Sequence, residues 1–439
     1  MTIGWRAFAS NPAVLWSAFV IVHFWLGMLN LYGPGQPLGD VTIVYRFWTD
    51  QLVVAHYRVG IDSSWVYPIV AILPMLAARV FGMTQYAATW LTIVMFLDAV
   101  AFAAIIGWGR RRQNSPVAWW WLGFLLSLGP ITLGRIDSIS VPFAIVGALL
   151  IATRPRTAAF ILTIATWIKV WPAAIIAAIV ISARDRVNAA LTVVLTSAAI
   201  TAITLALGSG ANVFSFITQQ TNRGLQVEAP VSTIWLWRVW SGVTDTTVYY
   251  DTNLLTWQVK GAGVDIASAV MTPLLVLALL SIVVVGVLAV RNRAPVTDVL
   301  PSLSLALVTA FLAFNKVGSP QYVTWLAIPV ILGMATTASG RGRSFRIPAI
   351  LVCVIAALTQ VIYPYLYGYL LGTNVVMLLV ITAKDILLFA LLAWAVANLV
   401  QSARTFAFDR EETDVTEWLP QVWPFSARSE IESPTKIER

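Results

Sequence analysis

The chain has 439 residues, of which 59% are hydrophobic and only 11% are charged, and its mean hydropathy is +0.80. Soluble domains are about half apolar and about a quarter charged, so this composition excludes an ordinary soluble protein and, for most of the chain, a disordered one. The net charge of +8 does not indicate nucleic-acid binding, because the basic residues lie between apolar segments, where they report membrane topology. A single cysteine excludes a disulfide framework.

Apolar stretches recur along the first 400 residues. A helix needs about 20 apolar residues to cross the hydrocarbon layer of a membrane. The chain therefore predicts an all-α polytopic membrane protein whose body, residues 1–400, contains about twelve transmembrane helices. The predicted spans cover residues 12–32, 85–108, 116–134, 138–153, 157–168, 170–182, 188–208, 266–290, 297–314, 321–338, 347–367 and 374–400.

The placement of arginine predicts the orientation of these helices. Short loops rich in basic residues face the cytoplasm. Both termini are then cytoplasmic, in agreement with twelve crossings, and residues 401–439 form a charged, flexible cytoplasmic tail. The five arginine-bearing loops contain Arg110–Arg112, Arg154 and Arg156, Arg184 and Arg186, Arg291 and Arg293, and Arg341, Arg343 and Arg346.

The loops between the other helix ends are predicted to lie on the outer face. Within the first of them, residues 67–82 are apolar but short, and they contain Pro74 and Arg79. Counting them as a crossing would place Arg110–Arg112 outside, so we predict a juxtamembrane helix on the outer surface, with a true crossing as the alternative. The three outer segments are residues 33–84, 209–265 and 315–321.

Few ionisable residues fall within the predicted spans. They are His23, Asp98 and the adjacent Lys384 and Asp385, a set too sparse for a proton relay or an ion pathway. We interpret His23 and Asp98 as hydrogen-bonding residues of the bundle interior. Neighbours on a helix point in different directions, so Lys384 and Asp385 are expected to pair with other helices and not with each other.

The outer loops are richer in residues that could do chemistry. A carboxylate there could take a proton from an attacking hydroxyl, basic side chains could hold a phosphate, and aromatic rings could stack on a sugar. Such a set suits a membrane lipid with an anionic head group; the alternative is the aromatic belt and interfacial cations found at every membrane surface. The candidates are Asp40, Tyr45, Arg46, His56, Asp62, Trp65, Tyr67, Arg135, Asp137, Lys169, Arg223, Glu228, Lys316, Gln321, Tyr322 and Trp325.

Six short motifs follow one another across the membrane body. In this order the chain resembles the polyprenyl-phosphate-dependent membrane glycosyltransferases of the GT-C fold. It is most similar to the actinobacterial glycosyltransferase 87 family, which includes mannosyltransferases of phosphatidylinositol mannoside and lipomannan synthesis. The tail after residue 400 is not covered. The motifs are GDVTIVY at 39–45, WVYP at 65–68, GRID at 134–137, IKVWP at 168–172, RGLQVE at 223–228 and NKVGSPQY at 315–322.

The resemblance implies roles for individual residues. Asp40 would be the catalytic base, with Asp62 and Asp137 as alternatives, and Glu228 would bind acceptor hydroxyls or pair with Arg223. The candidates for phosphate contacts are Arg135, Lys169, Arg223 and Lys316. The other substrate-binding candidates are Tyr45, Arg46, His56, Trp65, Tyr67, Gln321 and Tyr322.

The resemblance also implies a reaction and its partners. The donor would be a polyprenyl-phosphate sugar, with mannose as the first choice and arabinofuranose as the second, and the acceptor a glycolipid or lipid-linked glycan. Transfer would be a single inverting displacement at the outer face of a bacterial plasma membrane. No cofactor is implied, and without an Asp-x-Asp pair beside Asp40 a divalent metal is not indicated.

Two readings from other protein classes compete with sugar transfer. A transporter or flippase for a lipid-linked substrate would need polar residues distributed through the depth of the bundle. A membrane scaffold would not need loop charges that converge on one place. The mutual positions of Asp40, Arg135, Lys169, Arg223 and Lys316 therefore distinguish these classes.

Overall fold

The structure, a computed structural model, describes residues 2–221, 223–252 and 254–405. The first half of this part is mostly helical, and residues 54–68 form a long non-helical connection within it. Its α-helices are α1 (Thr2–Ala9), α2 (Pro12–Tyr32), α3 (Arg46–Val53), α4 (Ile72–Ala77), α5 (Tyr86–Ile105), α6 (Ser115–Leu128), α7 (Asp137–Leu150), α8 (Pro155–Ile168) and α9 (Ala173–Ser182).

The second half contains the longest helices and a small hairpin. Two of the helices, α13 and α18, have 28 and 31 residues. The elements are α10 (Arg186–Ala206), α11 (Ser215–Thr221), α12 (Thr233–Trp240), β1 (Thr247–Asp251), β2 (Thr256–Lys260), α13 (Val264–Arg291), α14 (Val296–Ala313), α15 (Ala327–Ala338), α16 (Arg346–Gln360), α17 (Tyr367–Leu371) and α18 (Val375–Thr405).

Eight helical segments in the described residues are long and apolar enough to cross a membrane. This confirms the prediction of a helical membrane protein. Each of the four other predicted spans contains a helix, but these helices, α6 to α9, have only 10 to 14 residues. Since a full crossing needs about 20 residues, the count of twelve crossings remains a prediction.

Burial divides the helices into central and peripheral ones. Nearly every residue of α7 and α14 is buried, so these two helices form the centre of the bundle. By contrast, only 11% of the most apolar stretch of α10 and 17% of that of α13 is buried within the protein. Soluble proteins rarely leave such large apolar surfaces uncovered, whereas lipid hydrocarbon covers them at no cost.

Two predicted outer segments can be compared with the structure, and the first agrees with the predicted juxtamembrane helix while the second differs in part. Helix in residues 67–82 covers only 69–77, roughly 14 Å, which is too short for a crossing. The segment 209–265 is not wholly helical, because β1 and β2 pair there as an antiparallel hairpin. The β-branched and aromatic residues of β1 and β2 favour strands, so the all-α prediction is wrong for this hairpin.

The last helix extends past residue 400, the predicted end of the membrane body. Helix α18 continues to Thr405, because the apolar face of the helix runs on to Ala403, which is buried. Residues 406–439 lie outside the described part of the chain.

Charged residues within the bundle are paired. His23 on α2 lies 3.1 Å from Asp98 on α5, with both side chains buried, as predicted for interior hydrogen-bonding residues. The prediction for Lys384 and Asp385 was wrong in one part: the two side chains do contact each other, with Lys384 Nζ 3.9 Å from Asp385 Oδ1. The long lysine side chain reaches the next carboxylate, which also accepts a hydrogen bond of 2.6 Å from Thr233.

The loops gather at two opposite ends of the bundle. At one, called here the Asp40 end, the segments 33–85, 129–136, 207–263, 314–320 and 361–374 contact one another. Asn30, for example, donates a hydrogen bond to the carbonyl oxygen of Pro130, and Gln226 N donates to the carbonyl oxygen of Lys316. The arginine-bearing loops lie at the other, the arginine end, where Arg343 donates to Gln401.

Candidate functional site

Asp40 lies in the loop that follows α2. It begins a short π-helical turn, Asp40–Tyr45, where a negative charge at the first turn is favourable. Its side chain is 39% exposed, and Oδ2 lies 3.1 Å from Nε of Arg135. The carboxylate is thus held on one side by a cation and open to solvent on the other.

Arg135 is fixed in place by its surroundings. One terminal nitrogen, Nη1, donates to the carbonyl oxygens of Pro37 and Gly134, and the other, Nη2, donates to the Tyr363 hydroxyl over 2.8 Å. Burial lowers the pKa of the guanidinium, but Asp40 and nearby tyrosines raise it by more, so the pKa lies above its usual value and the group stays charged.

The turn that presents Arg135 needs a glycine. A Cβ at Gly134 would lie 2.7 Å from the carbonyl oxygen of Pro37 and 2.9 Å from the side chain of Asn30. Any larger residue would push this turn away from the loop that carries Asp40. The Gly-Arg pair therefore brings the cation to the carboxylate.

Tyr45 and Tyr67 connect this pair to a second charged group. The hydroxyl of Tyr45 accepts a hydrogen bond of 3.1 Å from Ile136 N, next to Arg135. Burial, and then the neighbouring Tyr67 and Asp40, raise the pKa of Tyr45, so its hydroxyl stays neutral. The rings of Tyr45 and Tyr67 are 6.3 Å apart, edge to face.

Asp137 and Lys169 form the second group. Asp137 is fully buried; its Oδ1 accepts a hydrogen bond of 2.7 Å from Trp325, and its Oδ2 lies 3.9 Å from Lys169 Nζ. The ammonium lies 4.5 Å from the ring centre of Tyr67 and 5.5 Å from that of Tyr322. These rings shield the charge in a cation–π arrangement.

Asp40, Arg135, Asp137 and Lys169, together with Tyr45 and Tyr67, are called here the Asp40 cluster. Asp40 contacts Arg135 directly, and Lys169 is connected to this pair through Tyr67 and Tyr45.

Arg223 and Glu228 belong to a segment that lies along the hairpin. Val227 N donates to the carbonyl oxygen of Trp257, and Val259 N to that of Leu225, both over 3.0 Å. Arg223 is close enough to Lys169 to act on it electrostatically, which places it beside the Asp40 cluster.

Glu228 does not pair with Arg223, contrary to one prediction for it. It lines a small cavity with Lys384 and Asp385 and is only 7% exposed. Burial raises the pKa of Glu228 to about 7, although Lys384 and Arg135 act in the opposite direction. Glu228 can therefore hold or release a proton near neutral pH.

The two candidate tryptophans are packed inside the protein and are not accessible to a ligand. Trp65 is buried against Trp48 and Tyr67, with ring centres 5.3 and 5.6 Å away. Trp325 is buried as well and stacks on Trp171 at 5.6 Å. The structure thus gives both tryptophans a packing role, and neither offers a free face for a sugar.

The remaining candidates lie apart from the Asp40 cluster or inside loops. Arg46 and His56 are exposed on and after α3. Lys316 is buried, and its carbonyl oxygen accepts the hydrogen bond from Gln226 N. Gln321 is buried and accepts a hydrogen bond of 2.6 Å from Ser319.

The three predicted candidates for a base differ in accessibility. Asp62 is bound by Arg58, with Oδ1 2.7 Å from Nη2, and the hydrogen bonds from Arg58 lower the pKa of its carboxyl. Asp137 is enclosed. Asp62 is exposed, but both of its carboxylate oxygens accept hydrogen bonds from Arg58, whereas the contact of the partly exposed Asp40 with Arg135 is through Oδ2.

Tyr363 is a site residue that sequence analysis missed. The predicted span 347–367 runs through it, but α16 ends at Gln360 and the backbone of Tyr363 is extended. The signal was Pro364, which disfavours helix at the residue before it. This break frees the tyrosine to reach Arg135.

No metal centre is formed by the described side chains: they contain no group of three or more His, Cys, Asp or Glu residues placed to hold an ion. Comparison of the chain with protein-family models, with curated proteins and with solved structures found no match. The functional inference therefore depends on the geometry above and on the sequence motifs.

Proposed function

We propose that the protein is a membrane glycosyltransferase that moves a sugar, with mannose as the first choice, from a polyprenyl-phosphate donor to a hydroxyl of a glycolipid or lipid-linked glycan. The observation that carries this proposal is the Asp40–Arg135 pair at the loop-rich end of a helical membrane protein. A partly exposed carboxylate beside a buried, fully charged guanidinium is suited to remove a proton next to a bound phosphate.

The chemistry follows from this pair. Asp40 accepts the proton of the acceptor hydroxyl, whose oxygen forms a bond to the anomeric carbon of the donor sugar. The bond between that carbon and the phosphate oxygen breaks, the configuration inverts, and polyprenyl phosphate leaves with the electron pair. Arg135 orients the Asp40 carboxylate through the 3.1 Å contact of Nε with Oδ2, and Lys169 with Arg223 supplies positive charge for the leaving phosphate.

Asp40 is favoured over the two other aspartates on geometric grounds. A general base must reach the proton that it removes. Asp137 is fully buried and already accepts a hydrogen bond from Trp325. Both carboxylate oxygens of Asp62 already accept hydrogen bonds from Arg58. Of the three, Asp40 alone combines exposure with proximity to the cationic residues.

A flippase remains the main rival from another class. It requires a polar path through the membrane. The ionisable residues predicted to lie within the spans are all buried: His23 is paired with Asp98, and Lys384 and Asp385 contact each other beside Glu228 at a small cavity. This arrangement favours a structural role for the interior charges and chemistry at the Asp40 end.

The decisive assay uses purified protein in lipid vesicles with a mixed lipid extract as acceptor. Radiolabelled polyprenyl-phosphomannose and polyprenyl-phosphoarabinofuranose are supplied separately, so the preferred donor is identified. Asp40→Asn is expected to lower the transfer rate by about 10²–10⁴-fold, the usual contribution of a general base.

Asp62→Asn is the matched control and should transfer at nearly the wild-type rate, because Asp62 contacts Arg58 away from the Asp40 cluster. If Asp40→Asn transfers sugar at the wild-type rate, Asp40 is not the general base and the proposed mechanism is wrong. If the intact donor instead moves from one leaflet of the vesicle membrane to the other and no sugar is transferred, the protein is a flippase and not an enzyme.

A further inference from the structure

A large apolar groove runs along one side of the bundle, far from Asp40. It has a volume of about 960 Å³ and lies between α6, α15 and α16. Ligand pockets of proteins usually measure about 300–1,000 Å³, so the groove is large enough for a substantial ligand. Neither the sequence motifs nor the proposed sugar transfer assigns a role to it.

One face of α16 forms the floor of the groove. Arg346, Ile350, Cys353, Ala357 and Val361 contribute to its lining, and their spacing of three or four residues places them in one row along the helix. This row is about 22 Å long at 1.5 Å per residue, against a hydrocarbon layer about 30 Å thick. The groove is therefore long enough to extend along much of the thickness of the bilayer.

The groove has a polar end and an apolar end. Gln113, Ser344 and Arg346 lie at the arginine end, and Arg346 is the one charged residue in the lining. At the opposite end the lining is hydrocarbon up to Val361. An amphiphile with its head at the arginine end matches this polarity, and one with its head at the Asp40 end does not.

The charge near the polar end is positive. Arg346 is exposed at the start of α16, and the lining contains no acidic residue. Asp298, an acidic residue at the arginine end, is itself paired with Arg343 at 3.9 Å. Basic pockets between transmembrane helices recognise anionic lipid head groups.

We propose that this groove binds one diacyl phospholipid with an anionic head group, such as phosphatidylglycerol, with its phosphate beside Arg346 and an acyl chain along α16. A segment of polypeptide is the weaker occupant. In hydrocarbon its backbone groups would need hydrogen-bond partners that this lining of apolar side chains does not offer.

The experiment measures the mobility of lipids that carry a nitroxide on the acyl chain. It uses electron paramagnetic resonance and the full-length protein in nanodiscs. Labelled phosphatidylglycerol is expected to show a motionally restricted component and about a fivefold preference over labelled phosphatidylcholine. Arg346→Gln should remove the preference. Arg291→Gln, an equally exposed arginine at the same end on α13, is the matched control and should keep it.

A groove-filling variant provides a second test that does not depend on charge. Ala357→Phe places a ring in the groove from an exposed position and should reduce the restricted component for both lipids. Ala199→Phe, on the exposed face of α10, should leave it unchanged.

Three results would overturn the proposal. The first is that the wild-type protein restricts the motion of the two labelled lipids equally. The same result is expected if a protein segment fills the groove. The second is an unchanged preference in Arg346→Gln. The third is displacement of labelled phosphatidylglycerol by equimolar polyprenyl phosphate, which would assign the groove to the sugar donor. Sugar transfer by Arg346→Gln should stay at the wild-type rate, so the two proposals can fail independently.

Discussion

Asp40 leaves 39% of its side chain exposed while one carboxylate oxygen contacts Arg135. The guanidinium cannot follow the substrate, because Pro37, Gly134 and Tyr363 hold its other nitrogens. At the residue scale the site is therefore a fixed cation that orients a more accessible carboxylate. Such preorganisation lowers the reorganisation that the reaction needs.

Tyr363 is expected to act as a positioning residue through Arg135. Tyr363→Phe removes one hydrogen bond to a charged group but leaves two carbonyl acceptors, so transfer should fall by about tenfold. The measurement is kcat and KM for the sugar donor, with the loss expected in kcat. Tyr365→Phe alters a partly exposed ring of the same loop and is the control. Equal kcat values in Tyr363→Phe and Tyr365→Phe would contradict the positioning role of Tyr363.

Glu228 should make stability depend on pH. Its pKa is about 7 in the folded protein against 4.5 for an ordinary glutamate, because burial disfavours its charged form. The folded state then binds more protons than the unfolded state, so this contribution to stability is complete below pH 4.5 and is lost as pH rises through 7. Glu228→Gln should raise Tm at pH 8 by more than at pH 5.

The control for this measurement is Asp245→Asn. Asp245 is exposed at a positive φ of 60°, a conformation that asparagine also tolerates. Its effect on Tm should be small at both pH values. If the Tm change caused by Glu228→Gln is the same at pH 5 and pH 8, the assignment of a raised pKa is wrong.

At the scale of elements, the Asp40 end is assembled by contacts between loops and not by the helices themselves. The segment 223–229 forms backbone hydrogen bonds with β2 on one side and with the 314–319 loop on the other. Gly318 lies directly against the backbone of Glu228. The position of Glu228 is thus set by a three-part packing of hairpin, segment and loop.

Gly318 should not tolerate a side chain. A Cβ there would lie 2.1 Å from the carbonyl carbon of Glu228 and 2.2 Å from the nitrogen of Ala229. Because backbone atoms cannot yield as a flexible side chain can, Gly318→Ala is expected to cost about 1–3 kcal/mol, seen as a lower Tm. Gly368→Ala, with nothing within 4 Å of its Cβ, should leave Tm unchanged or slightly raised. A similar Tm for both variants would show that the loop can move.

At the scale of the whole molecule, the bundle has two chemically different ends. Arginine-bearing loops occupy one, and the hairpin with the Asp40 cluster occupies the other. Lateral surfaces such as those of α10 and α13 are apolar and exposed. This division suits a protein whose ends face two aqueous compartments and whose sides face lipid.

The predicted orientation can be measured with single cysteines. In a Cys353→Ala background, Thr244→Cys places a thiol beside the hairpin and Arg291→Cys places one at the arginine end, both at exposed positions. A membrane-impermeant maleimide added to intact cells should label position 244 and not 291, because the arginine loops are predicted to be cytoplasmic. Labelling of 291 alone would invert the topology.

Much of the secondary structure was predictable from the sequence. Apolar periodicity is local, so all twelve predicted spans contain helix, and Asp40 and Arg135 stood out as loop residues beside helix ends. The hairpin was missed because two five-residue strands leave little signal inside a long polar loop. The contact between Lys384 and Asp385 was not predicted, because the directions of neighbouring side chains on a helix do not show how far a flexible lysine side chain can reach.

The sequence by itself determined that this protein is a bundle of apolar helices with its polar residues concentrated in loops, because the cost of placing charge in hydrocarbon acts on each segment separately. Only the tertiary structure decided that Asp137 is enclosed, which cation each carboxylate meets and that Tyr363 supports Arg135. Those properties depend on burial and on contacts between residues far apart in the chain, and no local pattern encodes them.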